Sequence, residues 1–135
     1  MKTLDRATVE ALVAAARRAR RAAYAPYSRF RVGAAVLDDQ GRVHTGCNVE
    51  CGSYGLSNCA ERVAIQKAVS EGARRVVAVA VAGPDGRELS PCGACRQVME
   101  EFGTRFVVLV QGGRARVYAF RDLLPRAFHS PRGKP

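Results

Sequence analysis

The sequence predicts an α/β protein, a mixed sheet of five strands with helices packed against it. Three observations carry this. The hydrophobic pattern runs helix, β-hairpin, helix, strand, helix, strand, strand. A β-α-β-α-β order implies right-handed crossovers and helices laid on a sheet. The runs Val76–Ala82 and Phe106–Val110 are apolar without interruption, the pattern of strands buried on both faces. Two turn sequences, Asp38-Asp39-Gln40-Gly41 and Gln111-Gly112-Gly113, each separate two strand segments that must then pair antiparallel.

The first helix spans Thr3 to about Ala23, because Val9, Leu12, Val13, Ala16, Ala19 and Ala23 recur on one face. Thr3 or Asp5 is suited to cap its start. Arg17, Arg18, Arg20 and Arg21 crowd its end, where cations complement the helix dipole, and Pro26 terminates it. Arg31–Leu37 reads as a buried strand whose Ala34 and Ala35 allow close packing on a helix. Arg42–Val49 returns as its antiparallel partner. The loop Gly52–Asn58 delivers the chain to a helix from Cys59 to about Glu71, with Val63, Ala64, Ile65 and Ala68 inward and Gly72 as its stop. After the strand Val76–Ala82, Gly83-Pro84-Asp85-Gly86 turns the chain. Pro91 opens a helix running from Cys92 to about Phe102, and Gly103 ends it. Ala115–Tyr118 pairs with Phe106–Val110, and Arg121–Pro125 forms a short helical turn. Residues 1–128 are expected to form one domain and the polar residues 129–135 a mobile tail.

At 135 residues the chain is long enough for one real core and too short for two. It has no apolar run of membrane-spanning length. Its start, Met1-Lys2-Thr3-Leu4-Asp5, lacks the apolar segment of a secretory signal, so a cytoplasmic location is expected. Five cysteines, an odd number in such a chain, favour metal binding or free thiols over disulfides. The net charge of +10 is mostly arginine. With few aromatics interleaved, it reads as a solvated surface, and nucleic acid is not the expected partner.

The chemistry concentrates in Cys59-Ala60-Glu61-Arg62 and Pro91-Cys92-Gly93-Ala94-Cys95-Arg96. Each segment starts a helix, where free N–H groups and the positive dipole end favour a thiolate. Cys92 and Cys95, three apart, share one helix face. If the two helices lie side by side, Cys59, Cys92 and Cys95 can hold one Zn²⁺ and leave its fourth position open, as a catalytic site requires. Glu61 is then placed to move protons. Arg62 and Arg96 can donate to the sulfurs and offset three negative charges. A four-cysteine structural set, Cys47, Cys51, Cys92 and Cys95, is the rival. It needs a sharp turn at Val49-Glu50, because four extended residues span roughly 13 Å, and it leaves Glu61 unexplained. The histidines, His44 in a hairpin and His129 near the end, are expected at the surface.

These two motifs, with Tyr27–Ala35 and Gly46-Cys47-Asn48-Val49-Glu50, resemble the cytidine deaminases. The resemblance is to the short zinc-dependent homotetrameric type of the cytidine/deoxycytidylate deaminase superfamily, and it runs from about Tyr24 to Phe128. It implies a three-layer α/β/α fold with helices on both faces of the sheet. It also implies one Zn²⁺ per subunit and hydrolysis of cytidine and deoxycytidine to uridine and deoxyuridine with release of ammonia. By the same resemblance a zinc-activated water attacks C4 of the base while Glu61 shuttles protons. Ala60 offers its N–H to the base carbonyl and Phe30 packs on the base. Asn48 and Glu50, which stand i, i+2 on one face of an extended segment, bind the ribose hydroxyls. Tyr54 serves the pocket or the interface, and Phe128 reaches into a neighbouring subunit's site. Cys51 stands where the family pattern has a small polar residue. Alternative activities are a blasticidin-type antibiotic deaminase and an RNA-directed cytosine deaminase.

Overall fold

The structure, a computed structural model, describes residues 3–84 and 87–134. Asp85 and Gly86 of the expected turn, and Met1, Lys2 and Pro135 at the ends, lie outside the described residues. The elements are α1 (Arg6–Arg20), β1 (Gly33–Asp38), β2 (Val43–Cys47), a 3-10 turn (Tyr54–Leu56), α2 (Ala60–Ser70), β3 (Val76–Ala82), α3 (Gly93–Glu101), β4 (Phe106–Gln111), β5 (Arg114–Ala119) and α4 (Phe120–Leu123). Among the described residues, no helix is long and apolar enough to cross a membrane.

The five strands lie in the order β2-β1-β3-β4-β5. β3 and β4 run parallel and the other neighbours antiparallel. The sheet is therefore mixed, and helices cover both faces, as the sequence led us to expect. Alternation along β3 divides the core. Val79 and Val81 join Ala64, Ile65, Ala68 and Met99 under α2 and α3. Ala78, Ala80 and Ala82 join Leu12, Val13 and Ala16 under α1. Side chains at i and i+2 share a face, so one apolar run serves two cores, with its small residues toward α1.

Two glycines set how close the helices come. A Cβ on Gly33 would lie 2.0 Å from the Ala16 carbonyl oxygen of α1, and one on Gly46 would lie 2.5 Å from the Ala64 nitrogen of α2. Only a residue without a side chain fits at either contact. The capping expectations resolve cleanly. Asp5 caps α1, accepting from the Thr8 N–H at 2.7 Å. Gly72 and Gly103 follow α2 and α3 at φ values of +106° and +66°.

One expectation is corrected. His44 is buried, not at the surface. Its Nε2 lies 3.0 Å from Asp38 Oδ2 and its Nδ1 3.0 Å from Glu71 Oε1. Asp38 is itself buried and also takes Arg42 Nε at 2.9 Å and the Gln40 and Arg42 N–H groups. The end of the β1–β2 hairpin is thus closed by a charged cluster that ties it to the end of α2. Burial pushes the Asp38 carboxyl up, but hydrogen bonds from His44, the Arg42 and Gln40 backbone and the Arg42 side chain outweigh it. Together they hold the group well below the usual carboxylate range.

Candidate metal centre

α2 and α3 begin beside each other at one end of the sheet. Cys59 is the N-cap residue of α2 and Cys92 that of α3. Neither sulfur caps its own helix, so both are free to turn outward to a shared point. Cys95, in the first turn of α3, is fully buried beneath them. The three Sγ atoms lie within 4.8 Å of one another, and Cys59 and Cys92 stand 3.8 Å apart. Sulfurs about 2.3 Å from one tetrahedral ion would be about 3.8 Å apart, so the spacing fits a zinc without rearrangement of the helices. Three soft thiolates are also the donor set zinc favours. Cys47 and Cys51 do not belong to this group, which settles the choice between the two cysteine sets.

The charge around the sulfurs favours ionisation of Cys59. Hydrogen bonds with Cys95, Arg62 and Cys92 and the Arg62 charge outweigh burial and lower its pKa to about 5. Cys95, donating to Cys59 from a buried position, is pushed up. Arg62 Nη2 reaches Cys59 Sγ at 3.3 Å, while Arg62 Nε is buried with no hydrogen-bond partner among the described residues. The guanidinium therefore faces the Cys59 sulfur.

Glu61 sits two residues from Cys59 in the first turn of α2 and is only 5% exposed. Burial pushes its carboxyl up to about 7, and the neighbouring Cys59 charge adds to the effect, while its own backbone N–H opposes it. Ala60 is the first residue of α2 and fully buried, so its N–H has no acceptor within the helix.

The chain that carries this cysteine triad and buried glutamate, at the start of two adjacent helices on a mixed sheet, matches a known family along most of its length. Residues 6–111 match the model of the cytidine and deoxycytidylate deaminase zinc-binding region. The chain belongs to this deaminase family.

Among deaminase relatives, the cytidine deaminase of Halalkalibacterium halodurans is 50% identical over 120 residues, 87% of this chain and 91% of that protein. The Mycobacterium tuberculosis cytidine deaminase is 50% identical over 106 residues, 78% of each chain. The crystal structure of cytidine deaminase from Burkholderia pseudomallei superposes with a TM-score of 0.83 at 52% identity, covering 88% of this chain and 98% of that one. The family's zinc-binding region fits the sulfur geometry, and zinc is the cofactor of this deaminase.

The remaining candidate residues have their own local contacts. Asn48 Nδ2 donates to the Phe30 carbonyl at 2.7 Å and its Oδ1 accepts from the Val32 N–H at 2.8 Å. Glu50 accepts from the Tyr27 and Ser28 N–H groups at 2.9 and 3.1 Å and from the Ser28 hydroxyl. The Ser28 bonds hold the Glu50 carboxyl below the usual range. Both side chains thus anchor the Tyr27–Val32 segment, and both keep unused hydrogen-bonding capacity. Glu50, Tyr27, Ser28, Tyr54 and Ser57 line a cavity of about 250 Å³. Phe30 is half-buried and lines a second of about 250 Å³ with Gly83, Pro84 and Leu89. Tyr54 is 73% exposed and meets Tyr27 edge-on with ring centroids 5.7 Å apart. Phe128 is 69% exposed, its carbonyl held by Gln97 Nε2 at 2.9 Å.

Arg96 departs from the expectation that it donates to sulfur. Its Nε donates to the Pro91 carbonyl at 2.7 Å, Nη1 to the Leu123 carbonyl at 2.6 Å and Nη2 to Ser90 Oγ at 2.7 Å. It braces the approach to Cys92 against α4. Sequence reasoning missed this brace, and it missed Ser28 as the partner of Glu50. A serine directly after Pro26-Tyr27 was the available signal for the second, since hydroxyls after turns bind nearby polar groups.

Proposed function

We propose that this chain deaminates cytidine and deoxycytidine by hydrolysis, yielding uridine or deoxyuridine and ammonia, for pyrimidine salvage. The observation that carries the reading is the buried Glu61 directly beside three sulfurs spaced for one zinc. When bound, the zinc held by Cys59, Cys92 and Cys95 supplies the Lewis acidity that lets water act as a nucleophile at neutral pH. Glu61 does the proton work. Its carboxylate accepts a proton from the attacking water and delivers it to ring N3. The C4–O bond forms in that step; Glu61 then carries the remaining proton of the new C4 hydroxyl to the exocyclic amine, and the C4–N bond breaks to leave the C4 carbonyl and ammonia. A carboxyl near 7 is suited to both directions of transfer within one turnover. The Ala60 N–H, lacking a helical acceptor, binds the base carbonyl. Phe30 packs on the base, and Asn48 and Glu50 use their remaining valences on the ribose hydroxyls. Arg62 balances the thiolate charge.

The same reading includes a homotetramer in which Phe128 enters a neighbouring subunit's site and Tyr54 lies at the shared border. The exposed apolar side chains Tyr24, Tyr27, Val49, Tyr54, Leu56 and Phe128 support it, because exposed apolar surface of this kind is characteristic of interfaces. Three reduced, metal-holding thiols suit a cytoplasmic location.

The test is ammonia release from cytidine, deoxycytidine, a cytosine-bearing antibiotic and cytosine within single-stranded RNA. Turnover is expected on the two nucleosides, and Glu61→Gln should abolish it while zinc content stays at one per chain. Preference for the antibiotic or the RNA, or normal turnover by Glu61→Gln, would overturn the reading.

A further inference from the structure

The face of the sheet opposite α2 and α3 carries a second feature that deamination does not use. A cavity of about 490 Å³ opens at the C-terminal end of α1, lined by Arg17, Arg20, Arg21 and Arg31 over a floor that includes Ala82 and Val110. No carboxylate lines it among the described residues. Its volume lies in the range of small-molecule sites, roughly 300–1,000 Å³. Ala82 and Val110 sit at the C-terminal ends of the parallel neighbours β3 and β4, the end of an α/β sheet where ligands gather.

The sequence builds this cavity by a specific route. Gly33 brings β1 against α1 so closely that a Cβ there would sit 2.5 Å from the Arg20 nitrogen. Arg31, two residues earlier, is thereby carried to the end of α1. Arg20 Nε then donates to the Arg31 carbonyl at 2.9 Å, and Arg31 Nη1 donates to the Arg21 carbonyl at 3.4 Å. Two of the four guanidiniums are thus tethered in place. Arg17 and Arg21 have no side-chain hydrogen-bond partner among the described residues, and only Arg31 donates to a carbonyl near the helix end. The helix dipole favours cations at this end, but it does not require four guanidiniums to converge on one concavity.

We propose that this cavity binds an oligophosphate, either as a free anion or as the phosphate chain of a nucleotide. Guanidinium forks match phosphate oxygens in bidentate geometry. A single phosphate, with about two negative charges, leaves roughly half of the arginine charge uncompensated, whereas a chain of phosphates matches it. A polynucleotide is the poorer fit. No aromatic side chain lines the cavity for base stacking.

The experiment is calorimetric titration of the zinc-loaded full chain with sodium tripolyphosphate, with a purine nucleoside triphosphate, whose base is not a substrate, and with a 20-nucleotide single-stranded oligonucleotide. Saturable binding of one tripolyphosphate per chain is expected, weakening as salt screens the charges. Arg17→Gln with Arg21→Gln should weaken it by about tenfold or more and leave cytidine turnover unchanged, because neither side chain holds the fold together. Tighter binding of the nucleoside triphosphate identifies a nucleotide as the source, and equal binding identifies the free anion. Absence of saturable binding at low salt, binding indifferent to the double substitution, or binding confined to the oligonucleotide would overturn the proposal.

Discussion

Arg62 Nη2 lies 3.3 Å from Cys59 Sγ, one helical turn along α2. The two residues stand i, i+3, so the helix itself presents the guanidinium to the sulfur. Three thiolates on one divalent ion leave a net negative centre, and this donor offsets it. Arg62→Gln is expected to weaken zinc retention by about 10–100-fold, the range for partners of metal ligands. A chelator competition series on the purified variant reads this directly. Retention equal to the parent would show that Arg62 is packing alone.

Gly46 faces the backbone of α2 with no room for a methyl group. A Cβ there would lie 2.5 Å from the Ala64 nitrogen and 2.9 Å from the Ala60 carbonyl oxygen. Backbone cannot rotate aside as a side chain can. Gly46→Ala is therefore expected to cost about 1–3 kcal/mol, as overpacking does, and to loosen zinc because Ala60 follows Cys59. Urea melts of apo and zinc-loaded protein measure both effects. A midpoint unchanged from the parent in both forms would contradict the contact.

The cluster of Asp38, Arg42, His44 and Glu71 makes a prediction about acid. A carboxyl held below its ordinary value of 3.8 binds a proton more weakly in the folded chain than in the unfolded one. Its stabilisation is therefore complete above about pH 4 and is lost as pH falls through the folded value. His44 presents both ring nitrogens to carboxylates, Nε2 to Asp38 and Nδ1 to Glu71. Asp38→Asn weakens the buried acceptor shared by His44, Arg42 and two backbone N–H groups and is expected to cost about 1–3 kcal/mol at neutral pH. Its stability should also fall less as pH drops below about 4. An acid-unfolding curve that merely shifts, with its slope intact, would sink the assignment.

Phe128 is exposed while its carbonyl is anchored on α3 through Gln97. The backbone is held and the ring is left outward, an arrangement suited to insertion into a second copy. Phe128→Ala is expected to lower kcat/KM on the order of tenfold, as loss of an aromatic interface anchor does, with zinc content unchanged. Unaltered steady-state constants would leave the ring without a role in the site.

Much of the site was legible because its key spacings are local. Cys92 and Cys95 share a helix turn, and so do Cys59 and Arg62, wherever those helices pack. Two strand pairs were legible for the same reason, since the turns Asp38–Gly41 and Gln111–Gly113 set the pairing of β1 with β2 and of β4 with β5. What the sequence alone determined, then, is the element order, the helix starts bearing cysteine, and Glu61 at the head of α2.

Tertiary structure decided the relationships between residues far apart in the chain. It brought Cys59 within reach of Cys92, 33 residues on, by laying α2 and α3 on the same sheet face. It buried His44, because Glu71 arrives 27 residues later to cover the hairpin. It turned Arg96 from the sulfurs toward Pro91 and Leu123, since the end of α4 offers the Leu123 carbonyl, which no local pattern reveals. It also gathered arginines from α1 and from the segment before β1 around one cavity, through the contact that Gly33 permits. The physical reason is common to all four. A side chain's local conformation depends on its near neighbours, but its partners are chosen by which surfaces the folded core presses together.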